Sequence, residues 1–312
     1  MLHLRYEAGI WFMSNNIIQY CPWIECNVGC RFCFVHGQPN VDKVQSLKHL
    51  LALLQLPEVD SADGFGLIGG EFFQNQLQDS DVRELFYSLT DRIVDILIQR
   101  KLNTFWIATS LIFKLDKELI PYLNHLRDRG VLNRVLLCTS WDSKYRFTSP
   151  KAECLWRHNI ETLHNEYPEL RIHVETIVTE HFMQLCLRGG YSKHSFENEL
   201  DVTVDYLEPN TGFQDKNEFM EALPDFLAKR STFMRFVREV VSTWSPQEKM
   251  DFLNPNIRSN IVYNIEDGKH NRIADRHVIP IAQQPTSHLI KYGYIDSDRT
   301  MEEDYKLLKD SI

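Results

Sequence analysis

Short, β-rich apolar runs alternate with helix-periodic stretches along this chain, and that alternation limits its fold more than any other feature. The first run, residues 16–20, leads into a cysteine-rich loop. Residues 44–56 then show helical spacing and stop at Pro57. Runs at 64–68, 104–109, 134–139, 171–178 and 202–207 read as further strands. Between them, residues 81–100, 116–129 and 151–166 read as helices. The first of these carries acids early and Arg100-Lys101 at its end, as the helix dipole favours, and Gly130 stops the second. Residues 183–187 have helical character cut short by Gly189-Gly190, and 217–244 is mostly helical. Six strand–helix units with short connections imply parallel strands joined by right-handed crossovers. They suit an open doubly wound sheet or an incomplete barrel, and in both the sites lie at the C-terminal edge of the strands.

The tail departs from this rhythm. Residues 261–265, the turn Asp267-Gly268 and residues 272–281 predict a β-hairpin, followed by a charged segment. No long linker or repeat divides the chain, so one compact domain over residues 1–245 with an extension, 246–312, packed on it is expected. At 312 residues the chain buries a large core. A net charge of −9 argues against broad nucleic-acid binding, though not against a local basic pocket. Seven unevenly placed cysteines suit a reduced protein rather than a disulfide scaffold. The N-terminus lacks the basic and apolar regions of a signal peptide, and no apolar run reaches the roughly 18 residues that cross a bilayer. A soluble, cytoplasmic protein without membrane contact is expected.

The chemistry concentrates in Cys26-Asn27-Val28-Gly29-Cys30-Arg31-Phe32-Cys33. Three thiolates on one tight loop suit three irons of a [4Fe–4S] cluster and leave the fourth iron free for a small molecule. A closed zinc site needs four ligands, which Cys21 or His36 would have to complete. Gly69-Gly70-Glu71 ends the next strand. Glycines there let backbone groups approach a ligand without a Cβ in the way, and Glu71 suits hydrogen bonds from a cationic amino group.

With these motifs in that order the sequence resembles the radical S-adenosylmethionine (radical SAM) superfamily, over roughly residues 16–210. The resemblance rests on the three cysteines, on aromatic Phe32 before the last of them, on Gly69-Gly70-Glu71 and on the six-unit order. It implies a partial (β/α)6 TIM-like barrel, to which the C-terminal hairpin and helical extension read from the residues are added. Cys26, Cys30 and Cys33 would bind a [4Fe–4S] cluster, and S-adenosyl-L-methionine would chelate the open iron. One electron then cleaves the sulfonium and gives a 5′-deoxyadenosyl radical, which takes hydrogen from the substrate. Gly69, Gly70 and Glu71 would hold the methionine end of the cofactor. Phe32 would lie beside the adenine, and Ser140 or Asp142, after strand four, would bond the ribose or carboxylate. The family often has Pro after this Glu; here Phe72 stands there.

Each of these residues also has a plainer reading. Phe32 packs under a loop, and Ser140 and Asp142 suit a helix N-cap or Asx-turn. Glu175 and Thr176 alternate in strand five, so one of them faces the lumen. Glu208-Pro209 either meets the adenine through backbone or only ends strand six. Trp141, Lys144, Tyr145 and Arg146 suit an anionic or phosphorylated substrate, with a solvated loop around a packed Trp as the plainer expectation. Cys138, Cys154 and Cys186 lack cluster spacing and read as buried hydrophobes, so no auxiliary cluster domain is expected. The expected substrate is a small molecule or a modified nucleotide or base, the expected partner a low-potential electron donor such as flavodoxin or ferredoxin. Arg31 would help to meet an acidic donor, and the hairpin and tail would plug the lumen. The competing readings are a non-enzymatic zinc or iron–sulfur binding module and an activase that forms a glycyl radical in a partner.

Overall fold

In the computed structural model the described residues are 16–30, 33, 41–142, 144–177, 179–207, 230–245, 259–266 and 269–276. They build one eight-stranded sheet with strands β1 (Asn16–Tyr20), β2 (Gly64–Leu67), β3 (Phe105–Ala108), β4 (Val135–Trp141), β5 (Arg171–Ile177), β6 (Thr203–Leu207), β7 (Ser259–Glu266) and β8 (Lys269–Arg276). The helices are α1 (Lys43–Leu53), α2 (Ser80–Arg100), α3 (Leu119–Asp128), α4 (Pro150–Glu166), α5 (Glu180–Leu187), α6 (Lys193–Leu200) and α7 (Arg230–Glu239).

The spatial order is β6-β5-β4-β3-β2-β1-β7-β8. From β1 to β6 every neighbour is the next strand in sequence and every pair is parallel. A doubly wound sheet reverses its strand order at a switch point; this one does not. The order is that of a singly wound sheet, as in TIM-like folds, with motifs after successive strands brought along one edge.

Local chemistry explains the elements. Asp79 caps α2 by accepting from the amides of Asp81 and Val82, Lys101 at φ +57° ends it, and Arg100 ties that end to the carbonyls of Val59 and Ala62. Val82, Phe86, Leu89, Ile93 and Leu97 form its buried stripe. The core lies between the helices and one face of the sheet, where Ile18, Phe65, Phe105, Leu137 and Ile172 join Leu50, Phe86, Leu123 and Leu163 in one cluster. Strand alternation sends Gln19, Gly66, Trp106, Ser140, His173, Glu175 and Asp205 to the other face. That face is polar: His173 bonds Thr203 at 2.8 Å and lies 3.4 Å from the Asp205 carboxylate. Glu175 is therefore on the polar face, while Thr176 is fully buried on the helix side.

The structure differs from the sequence reading at several points. The hairpin exists, but β7 pairs in parallel with β1, so the hairpin lengthens the sheet at the edge beside β1. α3 starts later than expected, because its first turn, Leu115–Lys117, is a 3-10 turn. Gly189 and Gly190 do not weaken α5; their amides bond the carbonyls of Cys186 and Leu185, and Gly189 at φ +70° closes the helix end. α6 was not expected, since Phe196 and Leu200 are the only residues it buries. β4 runs on to Trp141, so Ser140 is a strand residue.

Candidate functional site

The site grows from the loops that leave β1, β2, β3 and β4 at one sheet edge. After β1 the chain keeps pairing with the loop after β2. Ile68 donates to Tyr20, Gly70 to Trp23 and Glu71 to Glu25, all backbone bonds of 2.8–2.9 Å. This contact explains both glycines. Gly69 has φ +135°, and a Cβ on it would lie 2.3 Å from the Trp23 carbonyl oxygen. A Cβ on Gly70 would lie 2.0 Å from the Glu25 oxygen. The sequence reading gave these glycines to ligand approach; here their buried side admits the chain that carries the cysteines. Both remain half-buried, so their other side is open to solvent.

Glu71 turns inward and is 1% exposed. Its carboxylate accepts from the Phe73 amide at 3.0 Å, from the Thr109 hydroxyl at 3.2 Å and from the Ser110 amide. Burial pushes its pKa above the ordinary carboxylate range, and the bonds from Ser110, Phe73 and Thr109 pull it back. The Glu71 carbonyl also accepts from Trp23 Nε1 at 3.1 Å. Glu71 therefore ties the loops after β1, β2 and β3 together. The cofactor contact read from sequence would have to be made by its backbone and by the glycines, because its carboxylate oxygens are already engaged.

The three cysteines lie together. Val28, Cys30, Tyr145 and Ile177 form a small buried cluster against which Cys26, Cys33 and Ile112 pack. Cys30 is 4% exposed; Cys26 and Cys33 are half-buried. The Cys33 amide bonds the Cys30 carbonyl at 3.1 Å, and Gly29, between Cys26 and Cys30, has φ +71°. Burial pushes the Cys26 thiol up to about 12; a bond from the Val28 amide opposes this, while Glu71, Cys33 and Cys30 add to it. A thiol held this far up ionises when a metal takes its proton's place. Among the described residues no group of three or more His, Cys, Asp and Glu side chains is placed to hold a metal ion.

Cys21 is fully buried, its thiol directed at the Trp23 carbonyl and packed behind Gly69; with Ile24 it forms a second small core against which Cys33 also packs. Cys138 and Cys186 are buried as expected, but Cys154 is exposed, because its place on α4 faces solvent. Phe32, Arg31, His36, Glu208 and Pro209 lie outside the described residues.

At the edge of β4 the two alternatives for the ribose contact separate. Ser140 is half-buried on the polar face. Asp142 is 0% exposed, and its carboxylate accepts from the amides of Lys144 and Tyr145 and from the Thr179 hydroxyl at 2.6–2.9 Å. That is an Asx-turn, and it fixes the loop after β4; a direct bond from Asp142 to a nucleoside would need these contacts to break. Trp141 is packed, as the plainer reading expects, stacked on Tyr191 with ring centres 5.5 Å apart, but the rest of the loop is not solvated: Tyr145 is buried against the cysteines and Arg146 is 7% exposed. Only Lys144 is exposed, its ammonium 4.9 Å from the centre of the Tyr145 ring. A cavity of about 240 Å³ opens beside it, lined by Tyr145, Glu180, His181, Gln184 and Arg188.

Two residues of the site, Thr109 and Ser110, have no role in the sequence reading. Just after β3, they hold Glu71; their place at the same edge as the other motifs was the available signal. The sequence offers Arg146 either to an anionic substrate or to a solvated loop; in the structure its Nη1 lies 3.1 Å from the Cys30 sulfur. No model of a known protein family matches the chain, and no curated protein matches it. Among the described residues no helix is long and apolar enough to cross a membrane. Fold and site thus define a singly wound α/β protein with a three-cysteine loop at the C-terminal end of its first strand.

Proposed function

We propose that this chain is a radical SAM enzyme whose sheet forms a partial (β/α)6 barrel. The observation that carries the reading is the packing of Cys26, Cys30 and Cys33 in one cluster, with Gly69-Gly70-Glu71 locked against the chain leading into it. The donor chemistry fits a [4Fe–4S] cluster: three soft sulfurs from one loop, beside a buried guanidinium. A zinc ion needs ligands converging on one centre, whereas a cluster takes each thiolate on its own iron. When bound, the reduced cluster supplies the electron that cleaves S-adenosylmethionine to a hydrogen-abstracting radical.

The chain's own residues have separate tasks. Cys26, Cys30 and Cys33 hold the cluster. The half-open backbone of Gly69 and Gly70 receives the methionine end, and Glu71 keeps that backbone in place. Ser140 and Phe32 receive the nucleoside, while Asp142 shapes the loop after β4. The polar sheet face, with Gln19, Trp106, His173, Glu175 and Asp205, receives a small-molecule or nucleotide-base substrate. The helices and core exclude water from the opposite side, as radical chemistry requires. A flavodoxin or ferredoxin supplies electrons.

The test is anaerobic. Reconstituted protein with dithionite and S-adenosylmethionine is expected to form 5′-deoxyadenosine, and Cys30→Ala is expected to form none. Product from Cys30→Ala, or no product from protein carrying a full cluster, would refute the reading.

A further inference from the structure

Arg146 has a role beyond those assigned to the loop after β4. Its guanidinium is 7% exposed, donates from Nη1 to the Cys30 sulfur at 3.1 Å and from Nη2 to the Ser110 carbonyl at 3.3 Å. Its Nε is buried without a partner. Arginine stays charged at any accessible pH, and a buried charge is costly unless something opposite faces it. Among the described residues no carboxylate pairs with Arg146. The group facing it is a cysteine sulfur, which becomes negative when it binds metal.

We propose that Arg146 is a positioning residue that sets the reduction potential of the cluster held by Cys26, Cys30 and Cys33. This rests on the functional reading above. The direction follows from charge. Reduction adds an electron beside the guanidinium, so the cation stabilises the reduced form more than the oxidised form. The donated bond to sulfur acts in the same sense, because it strengthens as charge on the sulfur grows. Arg146 therefore makes the cluster easier to reduce. It also ties the cysteine loop to the loop after β3, whose Ser110 amide holds Glu71. One side chain thus couples the loop that binds the cluster to the residue that orders Gly69 and Gly70.

The experiment is an anaerobic potentiometric titration, followed by electron paramagnetic resonance, of reconstituted wild type, Arg146→Met and Arg146→Gln. Iron content and unfolding curves are measured on the same samples. Both neutral variants are expected to keep their iron and to titrate at a more negative potential. A wild-type potential in a fully loaded neutral variant overturns the inference and leaves the enzyme reading intact. If neither neutral variant folds, Arg146→Ala with and without added guanidinium decides: a potential that rises when the free cation is present supports the inference, and one that does not respond refutes it. A wild type that takes up no iron–sulfur cluster sinks the functional reading and this inference together.

Discussion

Gly70→Ala tests whether the close contact between the loops after β1 and β2 builds the site. The added Cβ would sit 2.0 Å from the Glu25 oxygen and 2.6 Å from two backbone carbons, where ordinary contact begins at 3.4 Å. Backbone cannot rotate away as a flexible side chain does, so the two segments must part. Parting them breaks the bonds from Gly70 to Trp23 and from Glu71 to Glu25. Each bond contributes about 1 kcal/mol, and overpacking costs about 1–3 kcal/mol, so the loss is about 3–5 kcal/mol. For a domain of this size that lowers Tm by about 6–20 °C. Circular dichroism melts of the metal-free protein measure it. Gly130→Ala is the comparator, since Gly130 has φ +69° but nothing within 4 Å of an added Cβ. It should cost only about 1–2 kcal/mol. If Gly70→Ala melts with wild type or with Gly130→Ala, the tight contact does not exist and the account of the glycines is wrong.

Three further outcomes are expected. Thr179→Val removes both the cap of α5 and a bond to the buried Asp142 carboxylate, so urea unfolding should show a loss of about 2–4 kcal/mol; Thr179→Ser should recover most of it, and equal stability of the two variants would contradict the role given to the hydroxyl. Burial holds the Glu71 pKa above its unfolded value, so its stabilising contribution is fully present below the unfolded pKa and is lost as pH rises through the folded one. Wild type should therefore lose stability relative to Glu71→Gln between acidic and neutral pH, and a trend of opposite sign in paired urea melts would show that the bonds from Ser110, Phe73 and Thr109 outweigh burial. Cys26→Ala should abolish iron uptake while Cys21→Ala, whose thiol is turned to the Trp23 carbonyl, leaves it intact; iron analysis that shows loss in both would make Cys21 a ligand.

Periodicity places β1 at residues 16–20 and α4 to within one residue at its start, because both carry strong local signals: the β-rich Ile17-Ile18 and Tyr20 in one, Ser149-Pro150 and a long amphipathic stripe in the other. Strand order was not legible, since six alternating units fit a sheet with or without a switch point; only the observed pairing decides. The parallel docking of β7 on β1 has no local signature, because a hairpin motif specifies its own turn and not the edge it joins. At the site, spacing singled out the cysteines and Gly69-Gly70-Glu71. It could not say which side of each glycine is filled, or that Glu71 and Asp142 point inward to bind hydroxyls and amides of other loops. Such partners lie 37–39 residues away in the chain, as Thr109 and Ser110 do from Glu71 and Thr179 from Asp142. Arg146 was misjudged for the same reason. A Lys–Tyr–Arg run reads as a solvated loop until the Asx-turn at Asp142 turns its arginine onto Cys30, 116 residues earlier.

The central claim is that these three thiols carry a cubane with one iron left for S-adenosylmethionine. Anaerobic reconstitution followed by iron and sulfide analysis, with absorption and electron paramagnetic resonance spectra before and after the nucleotide is added, addresses it most directly. The account predicts about four irons and four sulfides per chain, and a spectrum that changes when S-adenosylmethionine binds. A single tightly held zinc, or a full cluster whose spectrum ignores the nucleotide, would contradict it.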